Sequence, residues 1–320
     1  MHIVVIGAGA MGGLFGAKLA AAGHDVLLYD TWEEHVDAIQ QRGLFVEGSD
    51  GTPIRYQVSA TSSPPQSLRG ADLILVQVKA YDTLKALRPL EPRINPESMI
   101  LSHQNGLGNL ESMQLALPNH QRLLLGTTAH GAGVIAPGRI RHAGPGPTVI
   151  GDPVADRSPK LNLTPVRDAF NEAGLKTEIS ERILENVWFK LAANVSINPL
   201  SALTGVRNGQ LLDDPALLEL ADAAVAEVIA VMKATGVDVP DKDYSAFARQ
   251  VMRDTGTAYS SMLQDIRRGK RTEIEYICGA VAEIGAEVGV PAPVNRWLTA
   301  LVRNRERAIR ESTRDGGTST

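Results

Sequence analysis

The chain has 320 residues, a formal net charge of −4 and a single cysteine, Cys278. That length favours two domains over one core. The acidic balance, with Lys and Arg dense only in the last helix, argues against nucleic acid as a partner. One cysteine rules out an internal disulfide and fits a reducing compartment, so a cytoplasmic protein is expected. The apolar N-terminal stretch is broken by Gly7, Gly9, Gly12, Gly13 and Gly16, which argues against a membrane span or signal peptide. No metal is expected.

Residues 2–6 form a β-branched run ending at glycine and predict a fully buried strand; residues 11–22 predict the helix after it. Between them lies Gly7-Ala8-Gly9-Ala10-Met11-Gly12. In a strand, turn and helix setting, such glycines permit a tight turn, close backbone approach to a pyrophosphate and close packing of helix on strand. The motif alone is weak, but a second strand over 25–29 ends in Asp30, about 20 residues beyond the glycines, as a dinucleotide site requires. A carboxylate there accepts hydrogen bonds from ribose hydroxyls and repels the extra phosphate of NADP, which favours NAD, with NADP as the alternative. The competing reading makes Asp30 a turn residue opening the helix in DTWEEHVDAIQQRG. Ribose contact is the preferred one.

Strands near 72–78, 99–102 and 123–126 alternate with helices from about Asp82 and Leu107, which predicts a parallel, doubly wound sheet. Ligands bind such sheets at the carboxyl ends of the strands. Lys79 follows one strand and Asn105-Gly106 the next. Alone, either reads as a solvated lysine or a plain turn; together at one edge they favour a cofactor role. Residues 129–152 predict two short strands extending the sheet in antiparallel fashion. The predicted fold class is α/β, a Rossmann-type doubly wound sheet over 1–180, followed by an all-helical domain over 181–320.

In the helical half, Asp213 and Asp214 before Pro215 predict a helix start, and Gly236 its stop. Thr272-x-x-Glu275 has the capping-box spacing, with Glu273 at the first helical position, where the dipole favours a carboxylate. The final RDGGTST is expected to fray.

The segment ENVWFKLAANVSINPL carries Lys190, Asn194 and Asn198 in a mostly apolar run. On a helical wheel the three fall within roughly 80° of one another. Val187 and Ile197 share that side, so the polar groups are expected to face a partly apolar cleft. Glu185 and Ser196 project oppositely and predict the outward face. An ammonium in such a cleft has a lowered pKa, which suits a proton donor near neutral pH. The plainer reading is a snorkelling lysine with two bridging amides.

IGAGAMG, VKAYDT, QNGLGN, WFKLAANVSINPLSALTG and SSMLQDIRRGKRTEIEYICG resemble blocks of the ketopantoate reductase (2-dehydropantoate 2-reductase) family, within the 6-phosphogluconate dehydrogenase-like group. The resemblance runs from about Met1 to Arg303. It implies hydride transfer between a nicotinamide and C2 of a 2-oxo acid, a step of pantothenate biosynthesis. It also implies Lys190 as the catalytic acid, Asn105, Asn194, Asn198, Ser261 and Glu273 as substrate-binding residues, and Lys79 near the cofactor. One departure stands out. Members using NADPH usually carry a basic residue after the second strand, where this chain has Asp30-Thr31. An oxidoreductase of another hydroxy or sugar acid, and a nicotinamide sensor without turnover, are the rival readings. The Ser261 and Glu273 block disfavours a 3-hydroxyisobutyrate-type enzyme. Dimerisation through the helical half stays open.

Overall fold

The computed structural model describes residues 1–66, 68–154 and 156–315. They form two compact units, Met1–Gln104 with Asn109–Ile183, and Asn105–Gly108 with Leu184 onward.

The first unit opens with β1 (His2–Ile6), α1 (Ala10–Ala21), β2 (Asp25–Tyr29), α2 (Glu33–Arg42), β3 (Leu44–Glu47), β4 (Pro53–Tyr56), β5 (Ser59–Thr61) and β6 (Leu73–Val76). It continues with α3 (Thr83–Leu87), β7 (Met99–Ser102), α4 (Asn109–Ala116), β8 (Leu123–Thr128), β9 (Gly131–Ala136), β10 (Arg139–Gly144), β11 (Thr148–Gly151), α5 (Thr164–Glu172) and β12 (Thr177–Ile179). Eight strands pair in the order β12-β11-β8-β7-β6-β1-β2-β5. Every neighbouring pair is parallel except β8 with β11. The strand order reverses between β1 and β6, which puts the ligand edge of a doubly wound sheet at their carboxyl ends. Ile3, Val4, Val5, Leu73, Ile74 and Leu75 are fully buried, as strands covered on both faces must be.

Residues 129–152 depart from expectation. They form three strands, of which only β11 extends the main sheet in antiparallel fashion. The β9–β10 hairpin instead joins a second sheet, ordered β4-β3-β10-β9. Gly13 on α1 explains the fit: a Cβ there would lie 3.3 Å from the side chains of Ile140 and Leu44, which pack this small sheet onto the helix.

The second unit is helical: α6 (Ile183–Thr204), α7 (Pro215–Ala234), α8 (Tyr244–Asp254), α9 (Ser261–Arg267), a π turn over Glu275–Gly279, α10 (Ala280–Glu287) and α11 (Pro293–Asp315). Asp214 caps α7 by accepting from the backbone N–H groups of Ala216 and Leu217, and Gly236 after it has φ +80°. Its core gathers Leu191, Val195, Val228, Met232, Ile277 and Val281, and it includes Leu107 from the short inserted segment.

Two local expectations fail here. The capping box does not form: the Thr272 N–H and hydroxyl both donate to Glu306, while Glu275 pairs with Arg303. Two partners from α11 outcompete the local bonds, and Glu273 lies in a bend before the helix begins. Nor is the Glu185 and Ser196 side of α6 an outward face. Ser196 is fully buried, with Oγ donating to the Ala192 and Ala193 carbonyls, and Glu185 is buried too. A wheel gives angles, not which angles meet protein; α6 is enclosed on both sides, as a central bundle helix is. Of the terminal RDGGTST, Arg314 and Asp315 close α11, and residues 316–320 lie outside the described residues.

Candidate active site

The glycine loop sits at the sheet's reversal point. A Cβ on Gly7 (φ +98°) would lie 2.6 Å from the backbone nitrogen of Val78, and one on Gly12 would overlap the Gly7 carbonyl oxygen. A Cβ on Gly9 would meet nothing within 4 Å. Gly7 and Gly12 therefore serve packing, and Gly9 keeps open the space before α1. No side chain caps the α1 N-terminus, which leaves the early N–H groups around Ala10, Met11 and Gly12 for an anion. This cradle fits a dinucleotide pyrophosphate.

Ala8, at the centre of the loop, is held from both sides. Its N–H donates to Asp30 Oδ2 at 2.7 Å, and its carbonyl accepts from His35 Nε2 at 3.0 Å. The N–H of Gly138 donates to His35 Nδ1 at 3.1 Å, so the proton must sit on Nε2 of a neutral imidazole. Burial lowers the pKa of His35, against the opposing pull of the Ala8 carbonyl and Asp30. Asp30 Oδ1 also accepts from the Trp32 N–H at 2.9 Å. Asp30 is thus both turn residue and brace of the loop, and the bracing has no sign in the sequence. Lys79 follows β6 and leads a short 3-10 turn over Ala80–Asp82. Gln104 fixes that strand end, its Nε2 donating to the Val78 carbonyl at 2.7 Å.

In the helical unit, Lys190 Nζ donates to Asn105 Oδ1 at 3.0 Å. Burial pushes the Lys190 ammonium down from its usual 10.5 to about 8, and the nearby Glu273 carboxylate pulls the other way. Part of the lysine side chain remains accessible, although its charged end is tightly surrounded. Asn194 lies one turn along α6 and is half-buried; Asn198, a turn further, is buried. Ser261 is the exposed first residue of α9, behind Ser260, whose Oγ caps that helix through the Leu263 N–H. The structure therefore joins Lys190 to Asn105 directly, with the charge of Glu273 acting on the same ammonium. Asn194, Asn198 and Ser261 sit on the same unit, and the glycine loop, Asp30 and Lys79 on the other.

Both halves match known sequence families, described as "Ketopantoate reductase PanE/ApbA" over residues 3–154 and "Ketopantoate reductase PanE/ApbA C terminal" over residues 182–306. The 2-dehydropantoate 2-reductase of Pyrococcus abyssi is 37% identical over 308 residues, covering 96% of this chain and 98% of the relative. That of Halobacterium salinarum is 37% identical over 307 residues, at 96% and 99% coverage. Among solved structures, a ketopantoate reductase from Ralstonia eutropha superposes with TM-score 0.87 and 33% identity, over 97% of this chain and 100% of that one. D-mandelate dehydrogenase with NADH and anilino(oxo)acetate superposes with TM-score 0.90 and 27% identity, at the same coverages. Sequence matches of this extent on both units carry one conclusion: the chain belongs to the ketopantoate reductase PanE/ApbA family.

Proposed function

We propose that this protein is a nicotinamide-dependent 2-dehydropantoate 2-reductase, in which Lys190 protonates the carbonyl oxygen of a 2-oxo acid as C2 is reduced. The single observation behind this is the Lys190–Asn105 hydrogen bond beside Glu273, an ammonium poised by burial to give up its proton near neutral pH. When bound, the nicotinamide supplies the hydride. Lys190 sets positive charge and a proton where the alkoxide develops, the strongest stabilisation such a site can offer. Asn105 and Ser261 hold the substrate carboxylate; Asn194, Asn198 and Glu273 hold its distal hydroxyl, so that C2 is presented in one orientation. In the unit carrying the sheet, Gly7, Ala8, Gly9, Ala10, Met11 and Gly12 cradle the pyrophosphate and Lys79 approaches the cofactor; Asn105, in the helical unit, is the further residue assigned to the cofactor.

NAD is the preferred cofactor in this reading, because Asp30 and the uncharged Thr31 give a 2′-phosphate no cation. The same observation favours a second reading, an NAD-linked dehydrogenase of another 2-hydroxy acid, and the similar D-mandelate dehydrogenase structure contains NADH. Among the described residues no helix is long and apolar enough to cross a membrane. With its one cysteine a buried free thiol, a cytoplasmic enzyme is the setting proposed. The test is an absorbance assay of NADH and NADPH oxidation with ketopantoate and with 2-oxo acids bearing aromatic or branched side chains. Fastest turnover of ketopantoate supports the first reading; fastest turnover of another acid supports the second. Tight NADH binding without turnover of any acid points to a sensor.

A further inference from the structure

Asn105 reaches Lys190 from 85 residues away in sequence, and the contact has a visible support. The Asn105–Gly108 segment groups with the helical unit although the chain on either side of it belongs to the other. Two anchors hold it there. The Leu107 N–H donates to the Tyr276 carbonyl at 2.7 Å, and the Leu107 side chain is buried in the helical core. Tyr276 lies in the π turn, closed by the Gly279 N–H donating to the Ile274 carbonyl at 2.9 Å. Such one-turn irregularities recur at functional sites because they redirect backbone groups. Gly106 allows the seat: it adopts φ +83°, and a Cβ there would overlap the Tyr276 carbonyl oxygen. The π turn is fixed in turn by the Glu275–Arg303 ion pair.

We propose that the π turn Glu275–Gly279 is the seat that positions Asn105 against Lys190, with Gly106 and Leu107 as positioning residues. This rests on the reading of Lys190 as the proton donor. Asn105 Oδ1 accepts from the charged form of Lys190 and so favours that form. Glu273 is the carboxylate whose charge acts on Lys190, and Glu275 is taken up by Arg303. Loss of the seat therefore leaves Lys190 with burial and Glu273 but without its amide acceptor, and it releases its proton at lower pH.

The experiment compares Asn105→Ala, Gly106→Ala, Leu107→Ala and the Asn105→Ala/Leu107→Ala double variant. Two readouts are taken: the alkaline limb of kcat against pH, and the pH dependence of Lys190 acylation by an amine reagent, followed by mass spectrometry in cofactor-free protein. Asn105→Ala is expected to move the Lys190 midpoint to lower pH by about half a unit or more. Gly106→Ala and Leu107→Ala are expected to do the same, and the double variant to move no further than Asn105→Ala alone. If Gly106→Ala does not fold, Leu107→Ala, which removes only the side-chain anchor, decides. An unmoved midpoint in Leu107→Ala, or additive shifts in the double variant, overturns the proposal. The acylation midpoint is read without turnover, so it stands apart from the acid role, which fails separately if Lys190→Ala still reduces a 2-oxo acid.

Discussion

Lys190 gives a hydrogen bond to Asn105 while the Glu273 carboxylate lies near enough to oppose its loss of charge. An ammonium in that balance titrates at about 8, within reach of a working enzyme. Only the protonated form can act as the acid. Reduction of the 2-oxo acid is therefore expected to hold steady below about pH 8 and to fall above it, while oxidation of the hydroxy acid, which needs Lys190 neutral, rises over the same range. Initial rates in both directions across this range check it; parallel profiles in the two directions would remove Lys190 from the proton transfer.

Asp30 braces the glycine loop and, in the function proposed above, also meets the ribose, so its removal has two consequences. Asp30→Ala is expected to weaken NADH binding about tenfold or more, the loss of a charge-assisted bond to the Ala8 N–H together with a ribose contact. Because the repulsion of a 2′-phosphate goes with it, the ratio of NADPH to NADH affinity rises. Fluorescence titration with both cofactors measures this, and an unchanged ratio would leave Asp30 a purely structural turn residue.

His130 is buried beside His142, and burial first, then His142 and Lys18, push its pKa from 6.5 to about 4. The fold thus prefers the neutral ring. Above pH 6.5 both folded and unfolded chains leave it neutral and its contribution is intact; between 6.5 and about 4 the unfolded chain takes a proton that the folded one refuses. Stability falls in that window at up to about 1.4 kcal/mol per pH unit from this group. Urea midpoints near neutral and mildly acid pH are expected to differ, and His130→Gln to shrink the difference.

Asp214 caps α7 with two backbone bonds. Asp214→Ala is expected to cost about 1 kcal/mol of stability with little change in cofactor affinity. Thermal and urea unfolding measure the first and NADH titration the second.

The legible parts of the molecule were those whose signal is local. The β1, loop, α1 and β2 run could be read because glycine spacing and β-branched runs report on backbone a few residues away, and Lys190 because an ammonium stands out in an apolar stretch. The β3–β4 hairpin carried a usable sign, Asp50-Gly51, whose Gly51 takes φ +80°, but short strands give weak periodicity. Other features had no local sign. That Ser196 faces protein depends on what surrounds α6, and the clamp on Ala8 depends on His35 and Gly138 meeting in space. The seat of Leu107 on Tyr276 joins backbone groups, which no side-chain pattern encodes.

Whether Lys190 is the acid is decided by ketopantoate-dependent oxidation of NADH by the native chain and by Lys190→Ala, with cofactor affinity measured in parallel. The variant is expected to bind NADH as the native chain does and to lose kcat by about a hundredfold or more, the span general acid catalysis supplies. A variant that keeps its turnover would contradict the assignment.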